Sequence, residues 1–410
     1  MTSRPYDVIV VGARAAGAAT AMLLARTGLR VLVVDRVRFP SDTLSTHAIQ
    51  ITGVSRLRRW GLIEQLRAAG TPAAREIRFD LGYTALRGPF PAYDGVDALL
   101  CPRRTVLDAI LVDAAREAGA EVRENITVEA LTWHENRVTG IRARERAGSL
   151  FEERAALVVG ADGKHSLVAG VVNAPTYRHV PVSTFASYTY WSGVDVTGEI
   201  YQRPGRAVVA AFPTNDDLTV IFISAPLADF PTFRTDVEGH YLKVLDLCGD
   251  LGDRVRSGQR AERFRTTPDL PHQFRVPFGP GWALVGDAGL VLDPISAQGI
   301  SQAFRDAELF ADAVATARAA GEPLDARLAT YHRQRDAAAG PIFEFTTRLA
   351  TFAPPSERER LLMSTIAERP DQVRTFLGVF AGAVPSDQLF SIRSAIRLLG
   401  VRRLITRTRA

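Results

Sequence analysis

"VVGARAAGAATAMLLARTGLRVLVVD", residues 10–35, decides the fold. The apolar run YDVIVV leads into a glycine turn, a stretch of small residues follows, and RVLVVD closes the segment with a second apolar run. Small residues let a helix pack close to a sheet, and Gly28 suits the helix's C-terminal cap. The segment therefore reads as one strand–helix–strand unit with parallel strands. Its turn nearly carries the dinucleotide fingerprint G-x-G-x-x-G: Gly12 and Gly17 stand at the right spacing, and Arg14 takes the middle glycine's place. Free amides at the start of the helix, around Ala15, Ala16 and Gly17, and the positive end of its dipole suit a phosphate. Arg14 gives up some close backbone approach and offers a cation to a phosphate or to the far end of the ligand. Asp35 ends the second strand 18 residues after Gly17, near the spacing of a carboxylate that hydrogen-bonds a ribose hydroxyl.

The bulk properties leave room for such a site in an ordinary globular chain. With 410 residues and 46% hydrophobic content, two or three packed units are expected. A net charge of +5, with arginines spread along the chain, argues against a nucleic-acid partner. Cys101 and Cys248 make no disulfide framework and match no metal spacing, so no metal and a reducing cytoplasm are expected. MTSRPYDVIVVG reads as a buried first strand rather than a signal peptide. No run of about 20 apolar residues follows, so stable membrane insertion is not expected.

Further along, helical patterns cover about 50–69 and RTVLDAILVDAAREAG, and the strands of 121–145 turn at HENR. From about 176 to 272 the texture becomes β-rich, with a turn at TNDD and a helical stretch near 233–250. GISQAFRDAELFADAVATARAAG is a strong helix, and the remainder is helical with breaks at FAPPSER and AVPSD. The terminal SIRSAIRLLGVRRLITRTRA places arginines opposite Ile and Leu. It suits a solvated lid helix, with an acidic membrane or partner surface as the alternative.

Two more loops share the form of the opening turn. VVGADGKHS carries Asp162 and Gly163, and WALVGDAGLVLDPISAQGIS carries Gly286, Asp287, Pro294 and Gly299. Each is an apolar strand that ends in Gly and Asp. In this order the three loops resemble the class A FAD monooxygenases, the p-hydroxybenzoate hydroxylase type. They look most like the branch that also holds geranylgeranyl reductases and flavin halogenases.

The resemblance covers about 1–340 and implies an α/β fold. A Rossmann-type (GR2) FAD-binding domain would comprise 1–74, 99–175 and 273–330. A β-rich substrate domain would comprise 75–98 and 176–272, and C-terminal helices 331–410. It further implies that Gly12, Arg14, Ala15, Ala16 and Gly17, with Asp35 and Arg36, take the ADP part of FAD. Asp162 would lie near FAD and the pyridine-nucleotide path, Gly286 and Asp287 would bind the ribityl chain, and Arg104 would reach the ribityl or phosphates. Pro294 would shape the loop before a helix whose Gly299 and Ile300 amides face the flavin edge that becomes negative on reduction. Arg14, Ala169 and Ala297 depart from the pattern, standing where the family usually has glycine, arginine and glycine.

Within this frame His47, in SDTLSTHAIQ, is a candidate proton relay or orienter of a substrate hydroxyl, with a loop-bonded histidine as the equal alternative. Phe185, Tyr188, Tyr190, Phe212 and Phe222 are candidate walls of an apolar substrate pocket, and core packing is the competing role for each. The reaction expected is hydroxylation or epoxidation of an aromatic or polyketide-like small molecule in secondary metabolism, with O₂ adding at the flavin C4a. NADH or NADPH would be the reductant, or a separate flavin reductase would supply reduced FAD. A C=C reductase of the geranylgeranyl-reductase type is the alternative. Halogenation is disfavoured: no lysine precedes Lys164, and Trp191 stands alone where halogenases carry W-x-W-x-I-P. A non-enzymatic carrier of this fold would show eroded loops, and all three are present.

Overall fold

The computed structural model describes residues 5–146 and 148–399. The opening segment forms β1 (Tyr6–Val11), α1 (Ala15–Arg26) and β2 (Val31–Val34). Both strands are almost wholly buried, as uninterrupted Val/Ile/Leu runs require when both faces of a sheet are covered. β1 is central: it pairs in parallel with β2 on one side and with Leu150–Gly160 on the other. The latter pairs in parallel with Trp282–Leu284, and β2 with Glu121–Arg123. Chain direction from β1 therefore splits both ways, which makes a switch point at the carboxyl ends of the strands. Gly12, Asp35, Asp162 and Gly286 all follow those carboxyl ends.

A second large sheet is built from Glu76–Asp80 and Ala85–Pro89 together with strands between Thr184 and Thr267. Alternation sorts its side chains. Tyr188, Tyr190, Phe212 and Phe222 join the core shared with the first sheet and its helices. Phe185, Trp191, Val209 and Ile221 face the other way, onto a core with Phe233, Tyr241 and Leu251 from the helices of 230–257. A small sheet of Thr176–Val180, His272–Arg275 and Leu290–Val291 joins the two.

The helix Gly299–Ala320 packs against α1 and against Ile51–Trp60. Gly53 is needed at the second contact, since a Cβ there would lie 2.6 Å from Ser301 Oγ. Further helices, among them Leu324–Leu349 and Pro370–Phe380, close over the junction of the sheets. The helix Ile392–Leu399 is described, whereas 400–410, half of the terminal arginine-rich stretch, lie outside the described residues. Among the described residues no helix is long and apolar enough to cross a membrane.

Candidate cofactor and substrate site

The three loops meet at one place, and close backbone contact forces their glycines. Gly12 (φ 100°) lies against the second loop: a Cβ there would sit 2.5 Å from Ala161 O. A Cβ on Gly17 would sit 1.8 Å from Gly12 O, and one on Gly286 (φ 55°) 2.6 Å from the Ala16 Cβ. Such contacts hold the start of α1 clear of side chains. Among the described residues no acceptor meets the amides of Ala15, Ala16 and Gly17.

Asp35 is buried and turned to this loop. One oxygen accepts from the Ala13 amide (2.7 Å) and the other from the Val37 amide (3.0 Å), while Arg36 is exposed. The Arg14 guanidinium is held by the protein, donating to Asp108 (2.7 Å), the Ser41 carbonyl (3.0 Å) and the Asp42 carbonyl (3.2 Å). The arginine thus ties the glycine turn to the segment that carries His47. Arg104 is buried and lies on the same carboxylate, its Nη2 2.9 Å from Asp108 Oδ1. Asp108 is fully buried and shared by both guanidiniums, leaving the trio one net positive charge beside the loop. Sequence reading missed it, although Arg104 and Asp108 stand four residues apart on one helix face.

Asp162 spends its oxygens on Ser166 Oγ (2.5 Å) and the Leu167 amide (2.7 Å), capping the short helix Leu167–Val171 that holds Ala169. Asp287 behaves differently. No donor among the described residues meets its carboxylate, and it retains accessible surface. Surrounding protein still pushes its pKa up to about 6, against the pull of Arg104 and Lys164. The carboxylate is thus reachable from outside while the protein around it disfavours its charge. Beneath its turn lie two buried ionisable groups: Asp306, and Arg335, whose Nη1 would be 3.1 Å from a Cβ on Gly289.

Pro294 begins a tight turn whose Asp293 accepts from the Ile295 amide at 2.9 Å and from the Thr184 hydroxyl. Ala297 ends that turn with φ 53°, the left-handed backbone that explains why glycine is usual there. Gly299 and Ile300 then open the long helix, and their amides meet no acceptor among the described residues.

His47 is wholly buried with φ 63°, its Nε2 2.7 Å from the Tyr190 hydroxyl. Burial, and next the Arg104 charge, lower its pKa to about 3, so the imidazole is neutral. Its Nδ1 has no hydrogen-bond partner among the described residues. Tyr188 donates to the Thr43 carbonyl (3.1 Å) and packs edge-on against His47. The pair is therefore part of the wall around His47.

An apolar cavity lies between the second sheet and the Pro294 turn. Phe79, Phe212, Val208 and Ile295 line it, Leu349 and Phe380 close it, and Gln50 and Gln202 are its polar members. Phe212 is thus the one anticipated aromatic on the cavity wall. Tyr188, Tyr190 and Phe222 share its sheet face, whereas Phe185 is corrected to the opposite face, against Phe230 and Phe233. A nine-residue strand shows two faces in sequence, and only pairing decides which one looks inward.

A switch-point cradle, free helix amides and a carboxylate that no donor meets among the described residues together fit a flavin dinucleotide. The chain belongs to the FAD binding domain family, whose pattern matches residues 5–346. It is an FAD-dependent oxidoreductase.

Similar proteins include the phenazine 1,6-dicarboxylic acid hydroxylase PhzS of Lysobacter antibioticus, 29% identical over 75% of this chain and 81% of that one. The digeranylgeranylglycerophospholipid reductase 1 of Methanococcoides burtonii is 26% identical over 80% and 79%. Among solved structures, the flavin-dependent brominase Bmp2 superposes with a TM-score of 0.80 at 18% identity, covering 96% of this chain and 97% of that one. PqsL, a probable FAD-dependent monooxygenase from Pseudomonas aeruginosa, superposes with a TM-score of 0.70 at 20% identity, covering 92% and 100%. These two share the fold.

Arg14→Gly tests the role of the unusual fingerprint residue. The substitution restores the standard pattern but removes a partly exposed ion pair and the tie to Ser41 and Asp42. FAD affinity is expected not to rise, and thermal stability to fall by about 1 kcal/mol. Titration of the FAD-free protein with FAD, beside thermal melts, checks both.

Proposed function

We propose that the protein is an FAD-dependent monooxygenase that hydroxylates or epoxidises an aromatic or polyketide-like small molecule, with O₂ as co-substrate. NADH or NADPH is the reductant, with a separate flavin reductase as the alternative source of electrons. The observation that carries this reading is the apolar, partly aromatic face that the second sheet turns to the Pro294 turn, with Phe79, Phe212 and Ile295 around a small cavity. The similarity to a hydroxylase across most of the chain supports it.

Bound FAD would supply two-electron transfer and oxygen activation. Asp35 would hold the glycine turn, with Arg104 and Asp287 beside the ligand's phosphate and ribityl portions. The Gly299 and Ile300 amides would face the edge that gains negative charge. A neutral His47 could take a proton at one ring nitrogen and release one at the other, with Tyr190 fixing the ring. The apolar wall excludes water from the reacting atoms.

Halogenase relatives share the fold, but the residues give that chemistry little support. Lys164 is ion-paired to Asp269 at 3.0 Å, and Trp191 is buried in the helix-backed core. The reductase relative keeps C=C reduction as the second outcome of one experiment. The purified protein is supplied with NADH or NADPH and candidate substrates under ¹⁸O₂. One labelled oxygen per product, with no turnover without air, is expected. A product that gains two hydrogens and no label, with turnover in the absence of air, makes the protein a reductase.

A further inference from the structure

Arg275 grips the turn that carries Asp287. Its amide donates to the Gly289 carbonyl (2.8 Å), and its Nη1 donates to the Ala288 carbonyl (2.8 Å). Its own carbonyl accepts from Arg335 Nη2 at 3.0 Å, and the Arg335 side chain is fully buried. The turn is therefore held at the two residues that directly follow Asp287, by a residue that is itself anchored.

The same guanidinium reaches the second loop. Its Nη2 donates to the Lys164 carbonyl at 3.3 Å, two residues beyond Asp162. The strands that lead into these loops, Leu150–Gly160 and Trp282–Leu284, are paired in parallel. That pairing ends where the Val285 amide donates to the Gly160 carbonyl at 3.0 Å. Past this point Arg275 joins the two loops. A guanidinium is a rigid planar fork, so two carbonyls held by its two ends are kept at a set separation. Lys164 and Arg104 are the cations whose field reaches Asp287, so that separation also fixes the surroundings of the carboxylate.

We infer that Arg275 is a positioning residue for the cofactor: by clasping the Lys164 and Ala288 carbonyls it fixes the second loop against the third and so aims the Asp287 carboxylate at the ribityl portion of FAD. This rests on the reading of Asp287 as a ligand of that portion. Arg275 does not touch the dinucleotide in this account, and its effect passes through Asp287. An arginine that merely supported the fold would weaken cofactor binding to the same degree whatever residue stood at 287.

The test is a double-mutant cycle on FAD affinity, read by titrating FAD-free protein with FAD and following the change in flavin fluorescence. Arg275→Met and Asp287→Ala are each expected to weaken binding about tenfold. If the arginine acts through the carboxylate, the double variant is also weakened about tenfold, not about a hundredfold. The control pairs Arg275→Met with Asp35→Asn in the first loop, where the two losses should multiply to about a hundredfold. A loss of about a hundredfold in the Arg275–Asp287 pair overturns the inference, and so does parental FAD affinity in Arg275→Met. A control pair whose losses do not multiply marks a general loosening of the site and overturns it too. Parental affinity in Asp287→Ala overturns the reading of Asp287, and the inference with it. Arg275→Lys repeats the cycle should Arg275→Met fail to fold, since it keeps the cation and offers one nitrogen in place of the fork. It is expected to weaken FAD binding with the same non-additive pattern, and parental affinity in that variant overturns the inference.

Discussion

Gly17→Ala is expected to abolish FAD retention and to cost about 3 kcal/mol of stability or more. The added methyl would lie 1.8 Å from the Gly12 carbonyl oxygen, a backbone atom, and 3.1 Å from the Ala161 Cβ. No rotamer relieves such a clash, so α1 must slide away from the strand ends. The slide closes the space above the Ala15 and Ala16 amides and parts the first loop from the other two. Gly28→Ala is the matched control. That glycine has φ 80° but nothing within 4 Å, so its variant should lose about 1 kcal/mol and keep its flavin. Flavin absorbance after gel filtration and melts of the FAD-free proteins distinguish them. A yellow Gly17→Ala protein with the parent's melting temperature would contradict this account of the turn.

The second large effect depends on pH and comes from Asp306. Its carboxyl is buried beneath the Asp287 turn, and burial pushes its pKa up to about 6 against the opposing pull of Arg335 and Arg305. In the unfolded chain the group has the ordinary value near 3.8. The folded state therefore holds this proton more tightly. Stability contributed by the neutral carboxyl is complete at low pH and is lost as pH rises through about 4 to 6. Asp306→Asn does not titrate. Its stability relative to the parent should rise by about 2 kcal/mol between pH 4 and pH 7, in FAD-free protein. His47 and His272, lowered to about 3 and 4, act in the opposite sense, losing stability as pH falls below 6.5. They are common to both proteins and cancel in the difference, as does Asp293, raised to about 6. A difference that stays flat across this window would mean that Asp306 is ionised in the fold.

The parts legible in the sequence were those where chain order and space coincide. β1, α1 and β2 were readable because the glycine turn and the two apolar runs are contiguous. The second and third loops were readable because each repeats the form of the first. Side-chain direction was not readable. Arg14 looked like a phosphate ligand because nothing near it in sequence offers an anion, and its partner, Asp108, arrives from a helix 94 residues on. Phe185 and Tyr188 sit in one aromatic strand, and only the pairing of that strand with Leu218–Pro226 assigns them to opposite faces.

The central place of β1 also bears on how the chain assembles as it is made. β1 leaves the ribosome before the other strands of its sheet, and β2 follows closely behind it. Its other edge must wait for residues 155–160, about 150 positions later, and the next strand of that sheet for residues 282–284. Until then a bare edge of valine and isoleucine backbone is open to any strand that comes near, including one from a neighbouring nascent chain. Such long-range parallel pairing makes folding slow whatever the final stability. The placement that gathers three loops at one point of the sheet thus leaves that edge to be shielded, until residues 155–160 arrive, by whatever packs on it first.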